Sequence, residues 1–247
     1  MMNLKNILLL GTAVMLFLLP LIYLIFWRKK TAAHWSSLIF GALGFTISAR
    51  ALEMLVHSVC IVADNPISRA INGSTALYVL YGIAMAGIFE EVGRWVILSL
   101  FKKKINNRDD AVMYGIGHGG IEVWIVILPV ILMYLAVVLT GGKGMPAEVV
   151  SSIMPSIEAF GLGTAICFVI ERIFCMGIHI ALTLMVFYGV QNREKKYLLK
   201  AVICHMILDV FPALYQRGVV GFMQTEIWLG VACVILCIFA YRLYKKL

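Results

Sequence analysis

Seven stretches of apolar residues run along the chain, each separated from the next by a short polar or charged break. They fall at about 7–27, 35–62, 75–101, 111–140, 163–190, 198–215 and 222–241. A helix needs roughly 20 apolar residues to cross a bilayer, and every stretch is near or above that length. The stretches lack the alternation of barrel strands, and lipid tolerates no open strand edge. The pattern therefore predicts an all-α, polytopic integral membrane protein of about seven transmembrane helices, one transmembrane helical domain over residues 1–247. The second, fourth and fifth stretches are long enough that their helices tilt or break, with Pro129 and the Gly115–Gly120 run as candidate break points. The longest loop, about 141–162, carries Gly141-Gly142 and Pro146, then an apolar 149–160 segment that reads as a short interfacial or re-entrant helix.

Composition excludes the soluble classes. Of 247 residues, 62% are hydrophobic and 14% charged, where soluble domains have roughly 45–50% and 25%. The net charge of +8 does not indicate nucleic acid, because the basic residues alternate between loops. One set of loops holds Arg28, Lys29 and Lys30; Lys102, Lys103, Lys104 and Arg108; Arg193, Lys195, Lys196 and Lys200; and Arg242, Lys245 and Lys246. The other holds only Lys5, Arg69, Lys143 and Arg217. The positive-inside rule places the first set in the cytoplasm, the amino terminus outside and the carboxyl terminus inside. The Arg28-Lys29-Lys30 flank marks the first stretch as a retained span rather than a cleaved signal. The six cysteines form no CxxC pair and read as small buried hydrophobes.

What remains in the spans is unusual. Arg50, Arg94 and Arg172 lie within them, with Glu53, Glu90, Glu91, Glu122, Glu171 and Asp209, and with His57, His118, His179 and His205. A charge at a helix centre costs roughly 2.5–3.5 kcal/mol on the insertion scale, so these groups must face one another or water. Their spacings are helical: Glu90–Arg94, His118–Glu122 and His205–Asp209 are each four apart, and Arg50–Glu53–His57 form a similar stripe. Arg50–Glu53 and Glu171–Arg172 read as buried ion pairs, and His57 as interfacial. Helices one and seven read as lipid-facing supports. At about 1.5 Å per residue, Glu90, Glu91, His118, His179 and His205 share a layer roughly 10–17 Å below the basic face.

Adjacent carboxylates facing imidazoles suit water activation and hydrolysis. The same residue types could ligate a divalent metal, zinc foremost, although HExxH is absent. Buried carboxylates and histidines also suit a proton- or ion-coupled transporter, or a sealed polar core.

Three motifs resemble, in order, those of the CPBP/ABI superfamily of intramembrane proteases, which contains the CAAX-prenyl proteases and resembles the PrsW proteases. They are Phe89-Glu90-Glu91-Val92-Gly93-Arg94, Tyr114-Gly115-Ile116-Gly117-His118 and His205-Met206-Ile207-Leu208-Asp209. The string from Gly115 to Glu122, with Glu171-Arg172 and His179, resembles the YhfC-like branch, and the core motifs span about 75–210. The resemblance implies an intramembrane endopeptidase of a bacterial plasma membrane, acting on membrane-embedded or lipid-linked peptides. Glu90 would activate water with His118, Glu91 would share the proton, and His205 would stabilise the oxyanion. Asp209 stands where the prenyl proteases have Asn, and would orient His205 or ligate metal. Arg94, Glu122, Glu171, Arg172 and His179 would support them. Glu122 would fix the His118 tautomer or bind metal. Metal candidates are His118, His179, His205, Glu122 and Asp209, with none or one divalent ion as cofactor. A hydrophilic cavity, open toward the cytoplasm, should bring water to Glu90 and His118.

Overall fold

The computed structural model describes residues 4–247, and all its regular elements are helical. In chain order they are α1 (Leu4–Lys30), α2 (Trp35–Val62), α3 (Pro66–Gly73), α4 (Thr75–Leu100), α5 (Arg108–Thr140), α6 (Ala147–Ala159), α7 (Leu162–Asn192), α8 (Lys196–Gln216) and α9 (Phe222–Tyr244). All but α3 and α6 are long and apolar enough to cross a membrane, seven in total. They coincide with the seven apolar stretches, and the chain is an integral membrane protein.

The bundle is built around α7. In its most apolar window 67% of residues lie inside the protein, against 33% or less in every other span. On one side α7 packs against α9, on the other against α5, while α2 lies along the first half of α5 and α4 along α8. In lipid, helices gain little from hydrophobic exclusion, so association depends on close backbone approach. The α2–α5 contact shows this. A Cβ on Gly117 would stand 2.1 Å from the Leu38 carbonyl oxygen, and one on Gly41 would stand 2.0 Å from that of Tyr114. Only hydrogen fits at either position.

The long helices resolve differently. In α2, wider π-helical turns occupy Thr46–Glu53 and Ser58–Val62. In α5 the irregular turn is Val123–Ile127, just ahead of Pro129, and the Gly115–Gly120 run stays helical. Proline removes a backbone donor and crowds the turn before it, which accounts for the position. α7 continues unbroken for 31 residues.

The ends are tied by polar contacts. On the face carrying the basic loops, Asn107 caps α5 by accepting from the Asp109 and Asp110 amides at 2.9 Å each. Fully buried Asp110 accepts from the His34 amide at 2.7 Å, fixing the turn between α1 and α2. On the opposite face lies α6, the short helix expected in the longest loop. Lys5 Nζ donates to the carbonyls of Ile157 (2.7 Å) and Glu158 (3.0 Å), capping its end.

Candidate functional site

Four helices bring their ionisable residues to one place. α4 supplies Glu90, Glu91 and Arg94, α5 supplies His118 and Glu122, α7 supplies Glu171, Arg172 and His179, and α8 supplies His205 and Asp209. Successive residues on a helix point about 100° apart, so the two adjacent glutamates face different neighbours. Glu91 is fully buried and turns to Arg94, whose Nη1 donates to both carboxylate oxygens at 2.7 Å. His205 Nδ1 donates to the same carboxylate at 2.8 Å. Glu90 turns the other way. Its Oε2 lies 3.1 Å from His118 Nε2 and 3.8 Å from His179 Nδ1, and its Oε1 lies 4.0 Å from His205 Nε2. Arg94 approaches Glu90 only to 4.0 Å.

Further contacts set the imidazoles. His179 Nε2 donates to Glu122 Oε2 at 2.5 Å, and Arg172 donates to Glu122 Oε1 at 3.3 Å. Glu122 therefore orients His179, not His118 as its four-residue spacing suggests. With Nε2 protonated, His179 Nδ1 carries a lone pair that accepts from Arg94 Nη2 at 3.3 Å, a contact that a metal ion on Nδ1 would replace. Arg172 also pairs closely with its neighbour Glu171, the buried ion pair expected there. His205 Nε2 lies 3.4 Å from Asp209 Oδ2. His118 is fully buried, and its Nδ1 has no hydrogen-bond partner.

Glu90, His118 and His179 each offer a donor atom, and these atoms lie within 4.8 Å of one another. Zinc–donor bonds are roughly 2.0–2.2 Å, so two donors on one ion lie at most about 4.4 Å apart. The two spacings from Glu90, 3.1 and 3.8 Å, satisfy this, and the two imidazole nitrogens lie within 4.8 Å of each other, close to that limit. Imidazole and carboxylate are zinc donors, and the Glu122 carboxylate behind His179 is the usual partner of a metal-binding histidine. The donor set fits a divalent ion. It includes Glu90, whereas Glu122 and Asp209 stand one contact further out.

A cavity of about 870 Å³ reaches this cluster. Glu90, Glu122, His179, His205 and Asp209 line its inner part. Its outer part is lined by Pro155, Ser156 and Phe160 around α6, by Thr164 and Phe168 at the start of α7, and by Gln216 and Phe222. These residues lie at the helix ends away from the basic loops. The lining therefore runs from the cluster toward the helix ends away from the basic loops, whereas the depth of the cluster led to an expectation of access from the basic face. Depth locates the layer but not the side from which α6, α7, α8 and α9 part. Water access also differs from expectation: Glu90 lines the cavity, but His118 lies sealed behind it.

Two other expectations change. Arg50 is exposed and makes no ion pair with Glu53, which instead lies 3.3 Å from His57 Nε2. The wider turn at Thr46–Glu53 displaces the three-residue register on which the expected pair depended. His57 Nδ1 in turn contacts the Tyr81 hydroxyl at 2.7 Å. And α9 is not merely a lipid-facing support: its Glu226 is buried and lines the cavity. Hydropathy groups Glu226 with the polar end of the last span, and only its position four residues inside Phe222 signals otherwise.

Comparison with known proteins gives a consistent result. A family model described as YhfC intramembrane metalloprotease matches residues 15–229. A curated protein of Bacillus subtilis (strain 168), named as uncharacterized membrane protein YhfC, is 31% identical over 218 residues, covering 83% of this chain and 82% of its own. No solved structure matches.

Proposed function

We propose, given that the chain belongs to the YhfC intramembrane metalloprotease family, that it hydrolyses peptide bonds of membrane-embedded or lipid-linked peptides at the inner end of its cavity. The observation that carries this reading is the position of Glu90 among three imidazoles, at 3.1, 3.8 and 4.0 Å, at the inner end of a cavity. Glu90, His118 and His179 would hold a divalent ion, zinc by donor type, and such an ion polarises a carbonyl and acidifies bound water.

The remaining residues handle the proton. Arg94 offsets the charge of Glu91 with two contacts of 2.7 Å. Glu91 then holds His205 by Nδ1, leaving Nε2 toward Glu90 and the cavity. An imidazole so held accepts a proton from water and returns it to the leaving amine. Asp209, 3.4 Å from Nε2, stabilises the imidazolium between the two transfers. Glu90 thus serves the donor set and His205 the proton, in place of the water-activating and oxyanion roles that the motif resemblance implies for them. Glu122, with Arg172 and Glu171 behind it, fixes the His179 ring.

The orientation follows from the basic loops: amino terminus outside, carboxyl terminus in the cytoplasm of a bacterium, and the cavity mouth on the outer leaflet side. A coupled transporter needs a route to both faces. Here the layer beneath the site is closed by fully buried Glu91, Arg94, Tyr114 and His118, which favours hydrolysis.

The test is reconstitution with a library of transmembrane-segment peptides in proteoliposomes, with products read by mass spectrometry. The wild-type protein should yield internal cleavage products. His205→Ala and Glu90→Gln should lower the rate by about a hundredfold or more. Equal cleavage by both variants, or none by the wild type, refutes the reading.

A further inference from the structure

We infer that the outer half of the cavity is a subsite for a cationic group of the substrate, an alkylammonium or guanidinium, held by Glu226. The inference rests on the proposed hydrolase only for what the cation belongs to, not for the charge itself.

Five carboxylates line the cavity: Glu90, Glu122, Glu171, Asp209 and Glu226. Four have partners inside the protein. Glu90 meets His118, Glu122 meets His179 and Arg172, Glu171 meets Arg172, and Asp209 meets His205. Glu226 is the exception. It is only 8% exposed, and its Oε2 has no hydrogen-bond partner. Burying a carboxylate oxygen without a partner is costly, so a group from outside is the natural complement. The one Lys or Arg in the cavity wall, Arg172, is close enough to act on Glu226 electrostatically but makes no hydrogen bond to it: its terminal nitrogens go to Glu122 and Glu171, and its Nε has no partner.

The shape agrees with the charge. Phe160, Phe168, Tyr215 and Phe222 line the same cavity as Glu226 and Thr225. Aromatic walls around a carboxylate suit a lysine or arginine side chain, whose methylene stem packs on apolar surface while its head reaches the charge. A cleft lined with one sign of charge also concentrates the opposite one. Substrates entering from the mouth would then place a basic residue, or a free amino terminus, on the mouth side of the bond at Glu90.

The probes are three short peptides: acetyl-Leu-Lys-Leu-amide, acetyl-Leu-Gln-Leu-amide, and Leu-Gln-Leu-amide with its free amine. Binding to the detergent-purified full chain is read by equilibrium dialysis, and cleavage is read separately by mass spectrometry. A charged hydrogen bond in a buried site corresponds to about a tenfold preference or more. The lysine peptide or the free-amine peptide, or both, should bind by that margin over the blocked glutamine peptide, and which one does so identifies the source of the cation. Glu226→Gln should remove the preference without weakening the blocked glutamine peptide. If Glu226→Gln does not fold, Glu226→Asp, which withdraws the charge by one methylene, should weaken the cationic peptides alone. Charge preference without cleavage of any peptide upholds the subsite while counting against proteolysis. No preference in the wild type, or an unchanged preference in Glu226→Gln, overturns the subsite.

Discussion

His205 Nδ1 lies 2.8 Å from Glu91 Oε1, on a carboxylate that also takes two 2.7 Å contacts from Arg94. The three residues form one unit. Arg94 offsets the charge of Glu91, and Glu91 fixes the face of His205 that meets the cavity. A buried ion pair is weak evidence for stability by itself, but breaking one is severe. Here the pair also orients an imidazole that lines the cavity.

This unit predicts a non-additive result. Arg94→Met leaves Glu91 charged and buried, and should destabilise the protein by about 3–5 kcal/mol. Glu91→Met leaves Arg94 in the same position and should cost a similar amount. The double variant removes both charges and should be more stable than either single one. Denaturant unfolding in detergent, followed by Trp fluorescence, measures all three.

Glu122 joins His179 to Arg172 at 2.5 and 3.3 Å. If His179 is a metal donor, Glu122→Gln should weaken zinc binding by about 10–100-fold, as loss of the carboxylate behind a ligand does. Glu171→Gln, which touches Arg172 and not the imidazole, should change zinc affinity far less. Competition titration against a zinc-binding dye separates the two variants.

The spans were legible because apolar length is a local property, readable one segment at a time. That Glu90, Glu91, His118, His179 and His205 share one layer was legible too, since rise per residue is fixed. Pairing across helices was not. His118–Glu122 and Glu90–Arg94 have ideal spacing within a helix, yet His118 meets Glu90 and Arg94 grips Glu91 more closely. A four-residue spacing says that two side chains share a face and nothing about what that face meets. Helix rotation, set by contacts such as Gly117 on Leu38, decides that. Glu226 escaped for a related reason, because a single acid near a span end looks alike whether it faces lipid headgroups or a cavity.

The α2–α5 seam gives a packing prediction. Gly117→Ala would set a methyl 2.1 Å from a backbone carbonyl that cannot rotate away, and should destabilise the protein by about 1–3 kcal/mol through forced helix separation. Gly82, on α4, has nothing within 4 Å of its would-be Cβ, so Gly82→Ala should be neutral or stabilise by up to about 1 kcal/mol through helix propensity. Thermal unfolding of the two variants side by side checks the contrast.

The position of the cavity mouth predicts an accessibility pattern. In a variant lacking the native cysteines, Ser156→Cys should react with a membrane-impermeant maleimide added outside intact cells. A cysteine at Lys103, on the basic face, should react only after permeabilisation. Reaction of Lys103→Cys from outside would invert the proposed orientation.

The most direct test of the central claim is the position of a metal ion. The protein is purified in detergent without chelator, its metal content is determined, and anomalous scattering at the zinc edge is collected from crystals. The account predicts one zinc per chain, with its peak between Glu90 Oε2, His118 Nε2 and His179 Nδ1, and loss of that zinc in a folded His179→Ala variant. A folded, metal-free protein that cleaves its substrate in the presence of chelator, or a zinc bound away from these three side chains, would contradict it.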